Sequence, residues 1–239
     1  MKEQSSGTIK NKIKKFETER ELVDRFVRFS KKTRPHDWRC IQEFEVGLGI
    51  ADIVFTKQVR NSSRSITLLR TVSPRLGVFF SERYTKRLLR QEELKALLGT
   101  NTKQTNRVIN QIRSIPSVEV RKDKSIKISF SGKPPFTPII SIEAKLSDWR
   151  RALLQACRYT QYSHESWVLL DTANTSPAIK EISQFSRTGI GLASFSTDGQ
   201  LFIHQQAKFR EPSSEEKFWR AQSLISKANQ IKSTSQSRP

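Results

Sequence analysis

Apolar residues recur every three or four positions in some stretches of the chain, and every second position or without interruption in others. The first spacing predicts amphipathic helices, and the other two predict half-buried and buried strands. A helix near the start carries its apolar stripe on Phe16, Leu22, Val23, Phe26 and Val27. Two strands are predicted after it, at 39–46 and 50–56, and a third runs through 138–145. A helix capped by Ser147 or Asp148 then ends near Tyr159, and a strand at 166–170 and a further helix follow it. The last predicted elements are two strands at 189–196 and 200–205, joined by Asp198-Gly199, and an amphipathic helix at 213–228.

Between these two groups of strands the pattern changes to two short helices and a strand pair. Residues 91–99 predict a helix that ends at a glycine, and residues 100–113 predict a second helix with an Asn or Thr cap. Two short helices joined through Gly99 are typical of a helix-turn-helix, and the alternation at 118–130 resembles the hairpin wing of a winged helix-turn-helix. The side chains predicted to contact DNA are Lys103, Gln104, Asn106, Arg107, Asn110 and Gln111 on the second helix, and Arg121, Lys122 and Lys124 at the hairpin tip.

The charge balance indicates a polyanionic partner. The chain has 43 Lys and Arg against 23 Asp and Glu, a formal net charge of +20, and residues 60–136 alone hold 17 basic against 5 acidic residues. Such an excess favours nucleic acid or an anionic membrane surface. No apolar run approaches the roughly 18 residues of a spanning helix, and no apolar signal-peptide core follows the basic start. We therefore expect a soluble, cytoplasmic protein that associates with duplex DNA and with no membrane.

Three charged residues stand on strands that are otherwise apolar: Asp52, Glu143 and Lys145. Side chains two apart on a strand point to one face, so Glu143 and Lys145 emerge together. Two carboxylates in apolar surroundings are costly without a cation. Mg²⁺ takes carboxylate, water and phosphate oxygens and acidifies its bound water, while a neighbouring lysine can orient that water or offset charge on a phosphate. These are the parts that phosphodiester hydrolysis needs.

A known family carries these residues in the same order. The segments GLGIADIVF and IEAK, followed by a helix with Gln155-Ala-Cys-Arg-Tyr159, resemble the PD-(D/E)XK nuclease superfamily, whose Gln-x-x-x-Tyr motif the last segment matches. The resemblance covers about residues 16–55 and 137–205. It implies an α/β, restriction-endonuclease-like fold with a mixed sheet flanked by helices, here with an inserted winged helix-turn-helix. The chain departs from the signature in one respect, because no proline precedes Asp52.

The resemblance also implies roles for individual residues. Asp52 and Glu143 are then metal ligands, with the Ala144 carbonyl as a third, and the cofactor is Mg²⁺, for which Mn²⁺ can substitute. Lys145 is the catalytic lysine.

Further roles follow from helices of the family. It uses the glutamine and tyrosine of its motif to steady the active site or the substrate, which assigns this role to Gln155 and Tyr159. It often adds a glutamate from its first helix, for which Glu21 is the candidate, although a solvated helix face explains Glu21 equally well.

Every one of these residues has an ordinary explanation when it is taken alone. Asp52 could bond turn amides at a strand end, Glu143 and Lys145 could be an ion pair at a sheet edge, and Tyr159 could be a core residue. The basic residues of 60–136 could form a merely solvated surface. The complete ordered set favours the functional interpretation.

The predicted organisation is a nuclease core interrupted by a DNA-binding domain. Its parts are a disordered basic N-terminus at 1–15, the first part of the core at 16–59, the inserted domain at 60–136, the second part of the core at 137–212, and a helix with a polar tail at 213–239.

The predicted function is a metal-dependent DNA endonuclease. One such site cuts one strand, so cutting both strands needs a homodimer or two successive nicks. Two alternatives stay open: a DNA-binding regulator or mobile-element protein that keeps the fold but cuts nothing, and a nuclease that acts on branched DNA or structured RNA.

Overall fold

A computed structural model describes residues 14–85, 87–115, 117–129 and 133–234, with side chains up to residue 228 in the last helix. Most of the predicted disordered N-terminus and the end of the polar tail lie outside these ranges. The chain has an α/β fold in which helices flank a six-stranded mixed sheet, and this confirms the α/β class and the mixed sheet of the prediction.

The large sheet holds both groups of strands that the sequence predicts. Its strand order is β1-β2-β6-β7-β8-β9, and β6, β7 and β8 run parallel to one another while the remaining neighbours are antiparallel. The strands are β1 (Trp38–Glu45), β2 (Ile50–Gln58), β6 (Phe136–Lys145), β7 (Glu165–Asp171), β8 (Gly191–Phe195) and β9 (Leu201–Gln205).

One face of the sheet is covered by α1 (Glu19–Thr33). The helix begins at Thr18, whose hydroxyl accepts the Glu21 N–H, and the predicted apolar stripe faces the sheet. Its buried side chains form a cluster with strand residues of β2 and β6 such as Phe55 and Ile142. This packing fixes the first turn of α1 beside the ends of these two strands.

The opposite face is covered by α5 (Trp149–Tyr159), α6 (Ser176–Lys180) and α7 (Ile182–Thr188). The cap of α5 is Asp148, one of the two predicted residues, because its carboxylate accepts the Arg151 N–H. Two short helices stand where the sequence predicts one between β7 and β8.

The described residues between β2 and β6 form a second, smaller sheet with its own helices. The two predicted helices are confirmed as α3 (Gln91–Leu98), which ends at Gly99 in the left-handed conformation, and α4 (Thr102–Ile112), which is capped by Asn101. The hairpin is confirmed as β4 (Val118–Val120) and β5 (Ile126–Ile128), and β5 also pairs with β3 (Leu88–Leu89). Two elements that were not predicted from the sequence lie before them, α2 (Ser63–Thr71) and the 3-10 helix Pro74–Phe80.

The C-terminal helix α8 (Glu215–Thr234) joins the two sheets. Its Trp219 lies in the apolar cluster of the smaller sheet, whereas Ala221 and Ile225 lie in a cluster beneath the larger one. The side chain of Gln222 bonds both backbone groups of Phe136, accepting from N–H at 2.9 Å and donating to C=O at 2.7 Å. Because both sheets pack on one helix, α8 fixes their relative position.

Within the described ranges, none of the helices is both long and apolar enough to cross a membrane.

Candidate functional site

The candidate site lies where β2 and β6 run side by side. Ile53 pairs with Ile142, and the next residues in each direction are Asp52 and Glu143, which therefore stand together beyond the last pair of this ladder. The Asp52 Oδ2 atom accepts the Ala144 N–H at 2.7 Å. The sheet register thus brings together two carboxyl groups that are ninety-one positions apart in the chain.

Three oxygen atoms surround the ammonium group of Lys145. Its Nζ atom lies 2.9 Å from Glu143 Oε1, 2.9 Å from the carbonyl oxygen of Ala144 and 3.1 Å from Glu19 Oε2. Two of these oxygens belong to residues that the resemblance names as metal ligands. These oxygen atoms therefore form a binding site for a positively charged group.

The Tyr159 hydroxyl holds the other side of Glu143. Its oxygen lies 2.7 Å from Glu143 Oε2 and 2.8 Å from the carbonyl oxygen of Ile50. A phenol has one proton, so it can donate a full hydrogen bond to only one of these two oxygens. When Glu143 is protonated, its O–H can donate to the Tyr159 oxygen while the Tyr159 O–H donates to the Ile50 carbonyl. Tyr159 is therefore both a core residue and a positioning group for Glu143.

Gln155 lies one helical turn before Tyr159 on α5. Its Oε1 atom is buried and has no hydrogen-bond partner among the described residues. A buried acceptor without a partner is costly, so water or a bound molecule at the site would satisfy it.

Burial sets the electrostatics of the cluster. Loss of water raises the pKa of Asp52 and of Glu143 above their ordinary values, although the hydrogen bonds from Ala144 and Tyr159 act in the opposite direction. Burial alone would lower the pKa of Lys145, but Glu143 and Asp52 together raise it. Lys145 stays charged while the two carboxyls are harder to ionise than usual, and the two carboxyls outnumber the one ammonium group.

An open cleft leads to this cluster from the side of α1. It is lined by charged and polar side chains of α1, β1 and β2, among them Glu19, Asp24, Glu43 and Asp52. Glu43 stands opposite Asp52 between two regular strand pairs, and its φ of 53° is in the left-handed region. The backbone therefore departs from regular strand geometry directly opposite Asp52.

The glutamate that α1 contributes is Glu19 and not the predicted Glu21. Glu21 turns away from the cluster, because its Oε1 atom pairs with Arg25 at 2.9 Å and its Oε2 atom accepts the Glu17 N–H. The helical period contains the signal for Glu19, which lies four and seven positions before the buried Val23 and Phe26 and so shares their face.

The donor set around the cluster fits a hard divalent cation. Carboxylates of Asp52 and Glu143 and the Ala144 carbonyl are oxygen ligands of the kind Mg²⁺ takes. Among the described residues there is no group of three or more His, Cys, Asp or Glu arranged to hold a metal. A site of this kind would therefore depend on two carboxylates, a carbonyl and oxygens from water or substrate.

The predicted DNA-contacting residues lie on exposed surfaces, with one exception. Asn106 is half-buried, and its Oδ1 atom accepts from Gln91 Nε2 at 3.0 Å, so it ties α4 to α3. The exposed residues are Lys103, Gln104, Arg107, Asn110 and Gln111 on α4, and Arg121, Lys122 and Lys124 in the turn between β4 and β5.

Comparison of the chain with family models, with curated proteins and with solved structures found no match.

Proposed function

We propose that this protein is a metal-dependent DNA endonuclease with a restriction-endonuclease-like core. The observation that carries the proposal is the convergence of Asp52, Glu143 and Lys145 at one point of the large sheet, with oxygen atoms surrounding the lysine. A stabilising ion pair needs one carboxylate for one lysine. Here the buried Glu143 and the half-buried Asp52 outnumber the one lysine, which is the arrangement expected where a divalent ion supplies further positive charge.

The order of elements supports the core assignment. Helix α1 is followed by the antiparallel strands β1, β2 and β6, then by α5 and the parallel strand β7. The motif residues of the PD-(D/E)XK superfamily fall on β2, on β6 and on the inner face of α5, in that order.

In the proposed mechanism Asp52, Glu143 and the Ala144 carbonyl would hold Mg²⁺, or Mn²⁺ in its place. The ion would supply Lewis acidity and a more acidic bound water. Lys145 leaves its contact with Glu143, orients the attacking water and offsets charge on the phosphate. Tyr159 keeps Glu143 in position, and Gln155 uses its free oxygen to accept a hydrogen bond from water or substrate.

The smaller sheet is proposed to dock on duplex DNA as a winged helix-turn-helix. Support comes from α3 and α4 joined through Gly99, and from the β4–β5 hairpin with its exposed basic turn. The exposed face of α4 would enter the major groove, and the hairpin turn would contact the phosphate backbone.

Lys145→Met is expected to lower cleavage about a hundredfold or more, because it removes the half-buried ammonium group beside the proposed phosphate position. The measurement is nicking of supercoiled plasmid and cutting of linear duplex at low salt, with Mg²⁺ or with EDTA. Wild-type protein should cut only with Mg²⁺.

Two other outcomes have clear meanings. Tight binding without cleavage by the wild type, equal in the variant, would contradict the nuclease proposal and favour the DNA-binding regulator. Cleavage of branched DNA or structured RNA in place of duplex would keep the mechanism and change the substrate.

Arg107→Ala is expected to weaken duplex binding by about 1–3 kcal/mol, because it removes an exposed guanidinium from the proposed groove-facing side of α4. Binding is measured in EDTA, so the result does not depend on cleavage. Lys95→Ala is the matched control, since Lys95 lies on the neighbouring α3 and pairs with Glu92 at 3.5 Å. Equal loss in both variants would indicate non-specific attraction to a basic surface.

A further inference from the structure

The edge strand β9 exposes large apolar side chains. It is the last strand in the sheet order, and no other described strand pairs with its outer side. Phe202 is 41% exposed and Ile203 is 51% exposed, and adjacent residues of a strand point to opposite faces. Both faces of this edge are therefore apolar.

Charge is missing from this edge. Residues 200–206 read Gln-Leu-Phe-Ile-His-Gln-Gln and hold no Asp, Glu, Lys or Arg, in a chain where 28% of residues are charged. Monomeric proteins commonly protect a sheet edge with charged residues, above all lysine, or with proline. The other edge, β1, follows this rule, because it carries Arg39, Glu43 and Glu45 and exposes no large hydrophobic side chain.

The apolar surface continues from β9 onto the sheet. On the face that α1 covers only in part, Trp167, Leu201 and Ile203 line a mostly apolar hollow with buried residues of β6, β7 and β8, and Arg34 is the charged residue in its lining. The exposed edge and the hollow share Ile203 and so form one surface.

We propose that β9 pairs antiparallel with β9 of a second copy of this chain about a two-fold axis near Ile203. Two copies with a net charge of +20 repel each other, so a contact between them needs a seam without charge. A two-fold contact brings the same surface of each copy together. An uncharged β9 edge therefore leaves both sides of such an interface without charge. An acidic partner would instead be attracted to the basic surfaces of the chain.

This dimer has a salt dependence opposite to that of DNA binding. Added salt screens the repulsion between the two basic copies and strengthens apolar association, whereas it weakens contacts with phosphates. If the nuclease proposal holds, the dimer also supplies a second catalytic centre for the second DNA strand.

The test is the mass of the full chain in solution, measured by sedimentation or light scattering without DNA or metal. Wild-type protein should dimerise, more strongly at higher salt. Ile203→Lys, and separately Phe202→Lys on the opposite face, should raise the dissociation constant at least tenfold and leave the melting temperature nearly unchanged. Leu154→Lys is the matched control, because Leu154 is 65% exposed and lies on α5.

A wild-type chain that stays monomeric at all salt concentrations would overturn the proposal. So would variants of Ile203 and Phe202 that dimerise as the wild type does, or a loss of dimer in Leu154→Lys equal to theirs. Because mass is measured without substrate, failure here leaves the nuclease proposal untouched, and failure of cleavage leaves the dimer untouched.

Discussion

Replacing Asp52 with asparagine is expected to lower metal-dependent cleavage about a thousandfold or more. The change removes one of two anionic ligands while the amide oxygen can still accept the Ala144 N–H, so the fold is kept and the charge is lost. Loss of several kcal/mol of transition-state stabilisation corresponds to a rate loss of this size. Asp24→Asn is the matched control, because Asp24 lines the same cleft and has no contact with Lys145 or Glu143 among its described hydrogen bonds.

The same substitution is expected to raise the stability of the metal-free protein at pH 8. Burial raises the pKa of Asp52, so the fold favours the protonated carboxyl. This contribution to the free energy of unfolding is complete below the ordinary pKa and is lost as pH rises through the raised value. Asparagine stays neutral at every pH, so the melting temperature of the variant should exceed that of wild type at pH 8 and match it near pH 3. A lower melting temperature at pH 8 would contradict this account.

Trp219→Ala is expected to cost about 3–5 kcal/mol of stability, which lowers the melting temperature by roughly 6–20 °C. Trp219 is buried in the cluster of the smaller sheet, although it belongs to the helix that also packs on the larger one. The 3-10 helix approaches it closely, since a Cβ added to Gly77 would lie 2.6 Å from the Trp219 carbonyl oxygen. The expected loss of stability therefore arises where the two sheets meet on α8.

Thermal and urea unfolding measure this effect. Leu154→Ala provides the control, because it removes a largely exposed side chain and should change stability little. A small effect of Trp219→Ala would mean that the two sheets do not depend on α8 for their packing.

The elements that carry the candidate site are predictable from the sequence because their signals are local. Asp52, Glu143 and Lys145 interrupt apolar strands, and Gln155 and Tyr159 lie one turn apart on a helix. A period of two or of 3.6 residues is sufficient to place such side chains on a face. Their meeting point depends on the pairing of β2 with β6. The sequence indicates this pairing only through the resemblance, which implies that the ordered motif residues meet at one site.

Other features depend on contacts between distant segments, which no local period contains. The helical period places Glu19 on the buried face of α1, but its contact with Lys145 forms only because α1 packs beside the end of β6. Asn106 is suited to base contacts by residue type, but its bond to Gln91 depends on how α3 and α4 pack. The bonds of Gln222 to Phe136 join segments that are 86 residues apart.

A calorimetric titration of wild type and Asp52→Asn with Mn²⁺ at pH 8 tests most directly whether the two carboxyl groups hold a divalent ion. The account predicts that the wild-type chain binds Mn²⁺ at a site that involves Glu143, and that Asp52→Asn loses this binding while Asp24→Asn keeps it. Absence of Mn²⁺ binding to wild type, or equal binding by Asp52→Asn, would contradict the account.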